Sequence, residues 1–444
     1  MRPAPDRDRT TPAEASVAPG IPGPAQGALN GLLVADFSRV LAGPYLTMLL
    51  ADLGATVIKV ESPEGDQTRA WGPPWREKDS TYYLAVNRGK RSVVLDLADP
   101  GDQRLASELA TRADVLVENM MPGRMARFGL DYPAVAAVNE RVVYCSLTGF
   151  GPQPEGGAMP GFDLVAQAAS GLMSITGEAG GPATKVGVAV VDVLCGLHAA
   201  VGILAALAAR TRTGRGQLVE ANLMLSALSA LTNQAGGYLA AGVVPARLGN
   251  AHPSVAPYEV FPLQGGEIVI AVGTDAQFRN LCRVLEIDAV MTDNRFATNS
   301  ARVRHRDELR VLLTASLGHL GKAQALRLFR EAGVPAGPVN NMDEAFDFAR
   351  TLNLDVTWNV DGVPQVRTPF ELSATPPRPT LGAPALDGMG EEIRQWLSTP
   401  NGDRARSRAP GPGRLREGRV KGGPQDESAE LGCVRSTRAG TRGR

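Results

Sequence analysis

Short apolar runs alternate with helical patterns through the first half of the chain. Residues 31–38 (GLLVADFS) form the first run, residues 45–53 have a helical pattern, and residues 55–61 (ATVIKVE) form the second run. Pro44 suits a first helical turn and Gly54 suits a helix end. Because the second strand returns after so short a helix, we expect it to pair in parallel with the first. The pattern therefore predicts a β-α-β unit.

The same alternation continues to the middle of the chain. The next predicted elements are strands at 92–97, 114–119 and 142–147, a helix over 99–112, and two long Ala/Leu-rich helices over about 190–210 and 219–240. These proportions are typical of a Rossmann-like domain, in which helices cover a parallel sheet. The apolar run 193–209 contains His198 and is shorter than the roughly 20 residues of a membrane span, so we interpret it as a buried helix.

A second unit begins near Tyr258, where two strand-like segments, EVFPL and EIVIAV, precede helical patterns over 275–335. Both chain ends are rich in Pro, Gly, Arg and Ser and lack the large apolar residues that would offset the entropy of ordering. The sequence thus predicts an α/β fold with a Rossmann-like large domain and a smaller α+β domain. The predicted division is a disordered extension over 1–27, the first part of the large domain over 28–220, linker helices over 221–255, the small domain over 256–335, a return to the large domain over 336–397, and a disordered tail over 398–444.

Composition removes several classes of function. Of the 444 residues 43% are hydrophobic, which excludes disorder of the whole chain. Lys plus Arg and Asp plus Glu both number 46, so the strong positive field of a nucleic-acid binder or an anionic-membrane binder is missing. The cysteines lack CxxC pairing, which argues against a disulfide scaffold or a metal site. Residues 1–27 have no apolar stretch of the kind a signal peptide needs, and we expect a cytoplasmic protein.

The turns that could meet phosphate groups lack the common glycine signatures. The first strand is followed by residues 38–43 (SRVLAG), which contain one glycine instead of the GxGxxG pattern, and this argues against NAD. Residues 87–92 (NRGKRS) form a cationic turn that could meet phosphates without a glycine cradle. Basic turns are common, however, and from spacing alone a solvated charged turn is favoured by roughly two to one.

Seven motifs carry a resemblance because of their order along the chain. They are DFSRVLAGPY (36–45), LGATVIKVESPEGDQTR (53–69), NRGKRSVVLDL (87–97), ADVLVENMMPGRMARFGL (113–130), SLTGFG (146–151), GFDLVAQAASGLMSITGE (161–178) and TGRGQLVEANL (213–223). In this order they resemble the family III CoA transferases, which include formyl-CoA transferase, carnitine CoA-transferase and alpha-methylacyl-CoA racemase. The resemblance implies coenzyme A or acyl-CoA as substrate, with no metal and no permanently bound cofactor. It also implies an interlocked homodimer with no nucleic-acid or membrane partner.

The resemblance also implies residues that contact coenzyme A. The implied contacts are the loop Val40, Leu41 and Ala42 near the nucleotide end, Leu95 and Asn119 at the adenine and pantetheine, the cations Lys90, Arg91 and Arg127 near the phosphates, and Thr148, where formyl-CoA transferase has a lysine. Arginine matches phosphate geometry with two parallel donors. Ser62 replaces an arginine common in the family, which leaves one phosphate contact in doubt. Arg69 is the alternative cation for that contact.

The nucleophile departs from the family pattern. In these transferases an aspartate attacks the acyl-CoA thioester, and its position falls on Gly180 in this chain. The nearby carboxylates are Glu178, Asp163 and Asp192. The two aspartates stand at predicted helix starts, where capping is the alternative role. We favour Glu178, since the surrounding glycines allow the loop to shift. Phe162 occupies the histidine position of the racemase and cannot move a proton.

Three functions remain open from the sequence. The first is a CoA transferase that moves coenzyme A from an acyl-CoA donor to a carboxylic acid through an enzyme carboxylate. The alternatives are a non-catalytic CoA-binding homologue and an acyl-CoA racemase or epimerase. The uncharged helical surface of residues 193–209 and 222–244 is more than one sheet domain needs, and together with the resemblance it predicts an obligate homodimer.

Overall fold

The computed structural model describes residues 26–400, and six parallel strands form its central sheet. The predicted N-terminal extension and C-terminal tail therefore lie almost wholly outside the described residues. The elements of the first half are β1 Leu33–Asp36, α1 Ala42–Asp52, β2 Thr56–Glu61, β3 Trp75–Arg76, β4 Asp79–Ser80, α2 Thr81–Val86, β5 Lys90–Val94, α3 Pro100–Arg112, β6 Val115–Glu118, α4 Tyr132–Val138, β7 Val143–Thr148, α5 Pro154–Gly157, α6 Asp163–Ala169, α7 Leu172–Ile175, α8 Val190–Thr213 and β8 Leu218–Asn222.

The strand order is that of a Rossmann fold. The sheet runs β5-β2-β1-β6-β7-β8, and each neighbouring pair is parallel. The chain builds outward from β1 to β5 on one side and then returns to place β6 beside β1. The direction of winding thus reverses between β1 and β6, the point at which open α/β sheets bind ligands. This confirms the predicted α/β fold with a parallel sheet.

Apolar side chains cover both faces of the sheet, as a parallel sheet requires. One core contains Leu33, Ile58 and Leu116 and includes Ile393 and Leu397 from the last helix. The other contains Val34, Val57 and Val117, against which α1 and α8 pack. Alternate residues of the same strands thus enter opposite cores, which follows from the two-residue period of a β-strand.

The second half of the chain has its own antiparallel sheet and apolar core. Its elements are α9 Leu223–Ala230, α10 Thr232–Ala241, β9 Tyr258–Leu263, β10 Gly266–Ala271, α11 Asp275–Val284, α12 Asp288–Thr292, α13 Asn299–Arg304, α14 Arg306–Leu317, α15 Lys322–Glu331, β11 Ala336–Pro338, α16 Met342–Thr351, β12 Thr357–Val360, β13 Val363–Val366 and α17 Gly390–Ser398. A sheet of order β11-β10-β9 packs on helices through Phe261, Ile268 and Phe329. The exact domain division stays a prediction.

Two sequence predictions are wrong. The helix predicted over 219–240 is instead strand β8 followed by two helices, because residues 218–222 complete the edge of the main sheet beside β7. The long apolar helix, α8, is only partly buried. It is long and apolar enough to cross a membrane by length and composition, but only 33% of its most apolar window is buried and it packs along α1. Core helices of soluble proteins pass the same length test.

Candidate active site

Two neighbouring cavities, which share lining residues, lie at the carboxyl ends of the strands, beside the reversal point between β1 and β6. The first cavity has a volume of about 230 Å³, and the second has a volume of about 400 Å³. The residues that line both are Arg39, Gln67 and Met120. The first cavity also extends to Asp192 in the first turn of α8. A ligand with two chemically different ends could therefore occupy both cavities.

The loop after β1 forms the wall between α1 and the two cavities, and it is held in an unusual conformation. Val40 has φ +70°, which is rare for a β-branched residue. The Val40 N–H donates to the Asp66 carboxylate at 3.2 Å. On the other side, the Asn119 amide donates to the Arg39 carbonyl at 2.7 Å and accepts from the Arg39 N–H at 3.0 Å. Hydrogen bonds from residues that follow β2 and β6 thus position this loop.

Buried charges beneath the loop connect it to the sheet. The Lys59 ammonium lies 2.9 Å from Asp66 and donates to the Ser38 carbonyl at 3.0 Å. The Lys90 ammonium lies 3.1 Å from Asp36, and both groups are fully buried. Burial alone would raise the pKa of Asp36, but the two lysines hold that pKa below its usual value. These paired charges are part of the scaffold of the site.

The basic turn at residues 87–92 is not solvated, so the sequence-based prediction of a solvated charged turn is wrong. Arg88, Lys90 and Arg91 are all almost fully buried. Arg88 forms two bonds to Asp52, at 3.1 and 2.7 Å, and burial lowers the pKa of Lys90 to about 8 despite the nearby Asp36. Burial also lowers the pKa of Arg91. β5 pairs in parallel with β2, and this pairing places the turn inside the protein.

The structure brings some of the predicted CoA contacts together and separates others. Those that line the first cavity are Val40, Leu41, Ala42, Asn119 and Thr148, while Leu95 lines the second. Lys90 is buried and donates to Asn87 and the Pro44 carbonyl as well as to Asp36. Arg127 is exposed and lines neither cavity. Phosphate contacts by Lys90, Arg91 and Arg127 stay predictions that these positions do not support.

Arg69, the alternative cation for the position of Ser62, is already engaged. Its guanidinium donates to Glu61 at 2.8 and 2.7 Å and to the Tyr83 hydroxyl at 2.5 Å. It also lies over the Tyr83 ring, 3.9 Å from the centroid. Freeing it for a phosphate would leave the buried Glu61 without its ion pair. Arg69 is therefore not available to the second cavity in this conformation.

Two of the three candidate carboxylates lie close together. Asp163 accepts the backbone N–H groups of Val191 and Asp192 at 2.8 and 3.3 Å, and accepts from the Gln167 amide at 2.6 Å. It therefore caps the first turn of α8 rather than its own helix. Asp192 makes no side-chain cap and lines the first cavity. Burial, with the negative charge of Asp163, raises the pKa of Asp192 to about 7.

The third carboxylate, Glu178, is exposed in the loop between α7 and α8 and does not line the first cavity. An oxygen of Glu178 lies 3.0 Å from the position that a Cβ on Gly249 would take. The Gly249 N–H donates to the Gly177 carbonyl at 3.0 Å, which ties this loop to the segment before β9. Gly180 has φ +72°, and a Cβ there would meet no atom of residues 26–400 within 4 Å.

Sequence reasoning missed several residues of the site. They include Arg39 and Gln67, which line both cavities, Arg124 in the second cavity, and the positioning pair Lys59 and Asp66. Arg39 follows the end of β1 and Asp66 follows the end of β2. The rule that ligands bind at the carboxyl ends of parallel strands could have selected them.

Comparison with known proteins agrees with this geometry. A family model described as CoA-transferase family III matches residues 29–389. The chain is 44% identical over 384 residues to the succinate–glutarate CoA-transferase of Agrobacterium fabrum, covering 84% of this chain and 96% of that protein. It is 38% identical over 382 residues to the acetyl-CoA:oxalate CoA-transferase of Acetobacter aceti, covering 85% and 98%.

A solved structure agrees as well. The crystal structure of a CAIB/BAIF family protein from Brucella suis has a TM-score of 0.77 and 40% identity, and covers 84% of this chain and 100% of that one. The resemblance carried by the ordered motifs is confirmed, and with it the transfer of coenzyme A between an acyl-CoA and a carboxylic acid. The chain belongs to CoA-transferase family III.

Proposed function

We propose that this transferase moves coenzyme A to or from short dicarboxylic acids and uses Asp192 as its working carboxylate. One relative above is named for succinate and glutarate and the other for acetyl-CoA and oxalate, so a dicarboxylic acid occurs in both names. The observation that carries the choice of residue is the position of Asp192. Of the three candidate carboxylates it alone lines the cavity at the sheet reversal.

The raised pKa of Asp192 is compatible with a role as the nucleophile. A carboxyl with a pKa of about 7 is about half ionised at neutral pH. The Asp192 carboxylate attacks the thioester carbonyl, the C–S bond breaks, and coenzyme A leaves as a thiolate. The thiolate then attacks the Asp192 carbonyl of the mixed anhydride, which releases the donor acid and leaves an enzyme thioester. The acceptor acid then attacks the enzyme thioester and releases the thiolate, which forms a second mixed anhydride. The thiolate attacks the acceptor carbonyl of this anhydride to give the new acyl-CoA, and the Asp192 carboxylate is regenerated with no net proton uptake.

Coenzyme A fits the two cavities by its chemistry. We assign the thioester end to the first cavity, beside Asp192, and the adenosine end to the second, beside Leu95. Asp163 acts as a positioning residue, because it holds the first turn of α8 and its charge raises the Asp192 pKa. The protein binds no permanent cofactor in this scheme.

Substitution tests which carboxylate works. We expect Asp192→Asn to lower the rate of transfer by about 1000-fold or more, since loss of a nucleophile has effects of this size or larger. Glu178→Gln is the matched control and should stay within a few-fold of the unmodified protein. A Glu178→Gln protein without transfer, beside an active Asp192→Asn protein, would show that the sequence-based choice of Glu178 was correct and this one wrong.

A gain-of-function pair tests the departure at Gly180. Aspartate and asparagine both tolerate positive φ better than other residues, and the space beside Gly180 is open. If Asp192 works, Gly180→Asp should transfer coenzyme A no faster than the uncharged control Gly180→Asn. A rate for Gly180→Asp more than tenfold above that of Gly180→Asn would place the working position in the loop before α8.

We also propose a cytoplasmic homodimer. Several large apolar side chains on α8, α9 and α10 are exposed in the single chain, among them Val201 at 68%, Leu225 at 63% and Leu239 at 81%. Patches of this kind mark interaction surfaces. Sedimentation at nanomolar concentration should give a dimer. A folded monomer under those conditions would contradict the proposal.

The binding-only alternative keeps one supporting observation, the absence of an aspartate at position 180. It predicts that calorimetry detects coenzyme A binding while no combination of donor and acid gives transfer. Racemisation has less support, because Phe162 lines the first cavity where a second acid/base group would stand. Exchange of the α-proton of a branched acyl-CoA without added acid would favour it.

A further inference from the structure

The second cavity is lined by positive side chains, and two of them form no ion pair within the described part of the protein. Its cationic residues are Lys59, Arg39 and Arg124. Lys59 is paired with Asp66 at 2.9 Å inside the protein. Within residues 26–400, the guanidinium groups of Arg39 and Arg124 make no ion pair or hydrogen bond with the protein. These two cations therefore remain available to a bound anion.

The acidic side chains of the same cavity do not cancel this charge. Glu61 is paired with Arg69 at 2.7 Å and Asp66 with Lys59. Glu64 and Asp96 are exposed, so water screens their charges, and Asp96 accepts the Ala98 N–H at 2.9 Å. A phosphate group that enters the cavity meets two guanidinium groups that have no ion-pair partner in the described part of the chain.

The positions of the two arginines differ in a way that matches the layout of coenzyme A. Arg39 lines both cavities and so lies between them. Arg124 lines only the second cavity and begins the short 3-10 helix Met125–Phe128. In coenzyme A the pyrophosphate lies between the pantetheine and the adenosine, and a third phosphate sits on the ribose 3′ oxygen. Coenzyme A bound with its pyrophosphate beside Arg39 would thus place its 3′-phosphate in the second cavity.

We propose that Arg124 binds the 3′-phosphate of coenzyme A and makes this transferase discriminate against ligands that lack it. The inference rests on the proposed binding of coenzyme A across the two cavities. A guanidinium group offers two parallel donors to a phosphate, which an exposed lysine cannot do. Ser62, on the wall of the same cavity, has no charge to contribute, and Arg69 is held by Glu61. Arg124 is the cation that remains for this phosphate.

The test compares two ligands that differ by one phosphate. Calorimetry measures the affinity of the full chain for coenzyme A and for 3′-dephospho-coenzyme A, with Arg124→Gln and Arg104→Gln as the variant and its matched control. Arg104 lies on α3, is exposed, and lines neither cavity. Because Arg124 is exposed and makes no side-chain bond in the described chain, its replacement should leave the fold unchanged, and circular dichroism checks this.

We expect Arg124→Gln to weaken coenzyme A binding by about 3- to 5-fold, the upper part of the range for one exposed charge-assisted contact. Its affinity for dephospho-coenzyme A should stay within about 1.5-fold of that of the unmodified protein, and Arg104→Gln should change neither affinity. The proposal is overturned if Arg124→Gln leaves both affinities unchanged, if it weakens both ligands equally, or if Arg104→Gln produces the selective loss. An unmodified protein that binds neither ligand would overturn the proposed function as well.

Discussion

The raised pKa of Asp192 has a consequence for stability that can be measured without any substrate. Its folded-state pKa of about 7 lies above the ordinary value of 3.8. Folding therefore favours the protonated form, and the stability of the protein falls as the pH rises from about 4 to about 7, after which the loss is constant. Asparagine has nearly the same shape and never ionises. Asp192→Asn should therefore stabilise the protein at high pH.

The size of the effect follows from the shift. Each pKa unit corresponds to about 1.4 kcal/mol, so a shift of about three units is worth about 4 kcal/mol above pH 7. About 2.7 kcal/mol of this develops between pH 5 and pH 8.5 by linkage. Because Asp192 lines an open cavity, water reduces the full value, and we expect an advantage that grows by about 1 to 3 kcal/mol across this range.

Urea denaturation at fixed protein concentration measures this difference at pH 5, 7 and 8.5. Glu178→Gln is the control, since the exposed Glu178 carboxylate stays in contact with water in the folded protein. If Asp192→Asn raises the free energy of unfolding by the same amount at all three pH values, the reasoning is refuted. Equal pH dependence in Glu178→Gln would show that the effect does not come from the burial of Asp192.

Two further substitutions test the scaffold that positions the site. Lys90→Met leaves the buried Asp36 carboxylate without its 3.1 Å partner and should cost about 3 to 5 kcal/mol in urea denaturation, whereas a loss below about 1 kcal/mol would contradict a structural ion pair. Gly216→Ala should lower the melting temperature by several degrees, because its Cβ would lie 1.9 Å from the Val142 carbonyl oxygen and overpack the sheet edge. Gly236→Ala, whose Cβ would have no atom of the described residues within 4 Å, is the control and should leave the melting temperature unchanged or raise it.

The first half of the fold could be predicted because local pattern and tertiary structure agree there. The apolar runs before and after Pro44 became β1 and β2 within a few residues, and their parallel pairing followed from the short helix between them. Strand β8 could not be found in this way. Residues 218–222 continue the apolar composition of the helix that follows, and only the vacant sheet edge beside β7 makes them a strand.

The candidate site was harder to predict because its electrostatics depend on residues far apart in sequence. The turn 87–92 has the composition of a solvated loop, yet Lys90 pairs with Asp36, which is 54 residues earlier. Asp163 does cap a helix, but the helix begins 27 residues later in the chain. Burial raises the pKa of Asp192, and the negative charge of Asp163 adds to this effect. Spacing identifies the candidate residues, whereas burial and neighbouring charge decide their roles.

The most direct test of the central claim is acid-dependent transfer of coenzyme A. The purified protein is incubated with succinyl-CoA and a panel of dicarboxylic acids that includes oxalate and glutarate, and mass spectrometry follows the thioesters. The account predicts that a new acyl-CoA forms only when the acid is present and in equal amount to the succinate released. It also predicts that Asp192→Asn abolishes this exchange in a protein that still binds coenzyme A. Exchange that persists at full rate in Asp192→Asn, or no exchange with any acid despite bound coenzyme A, would contradict the account.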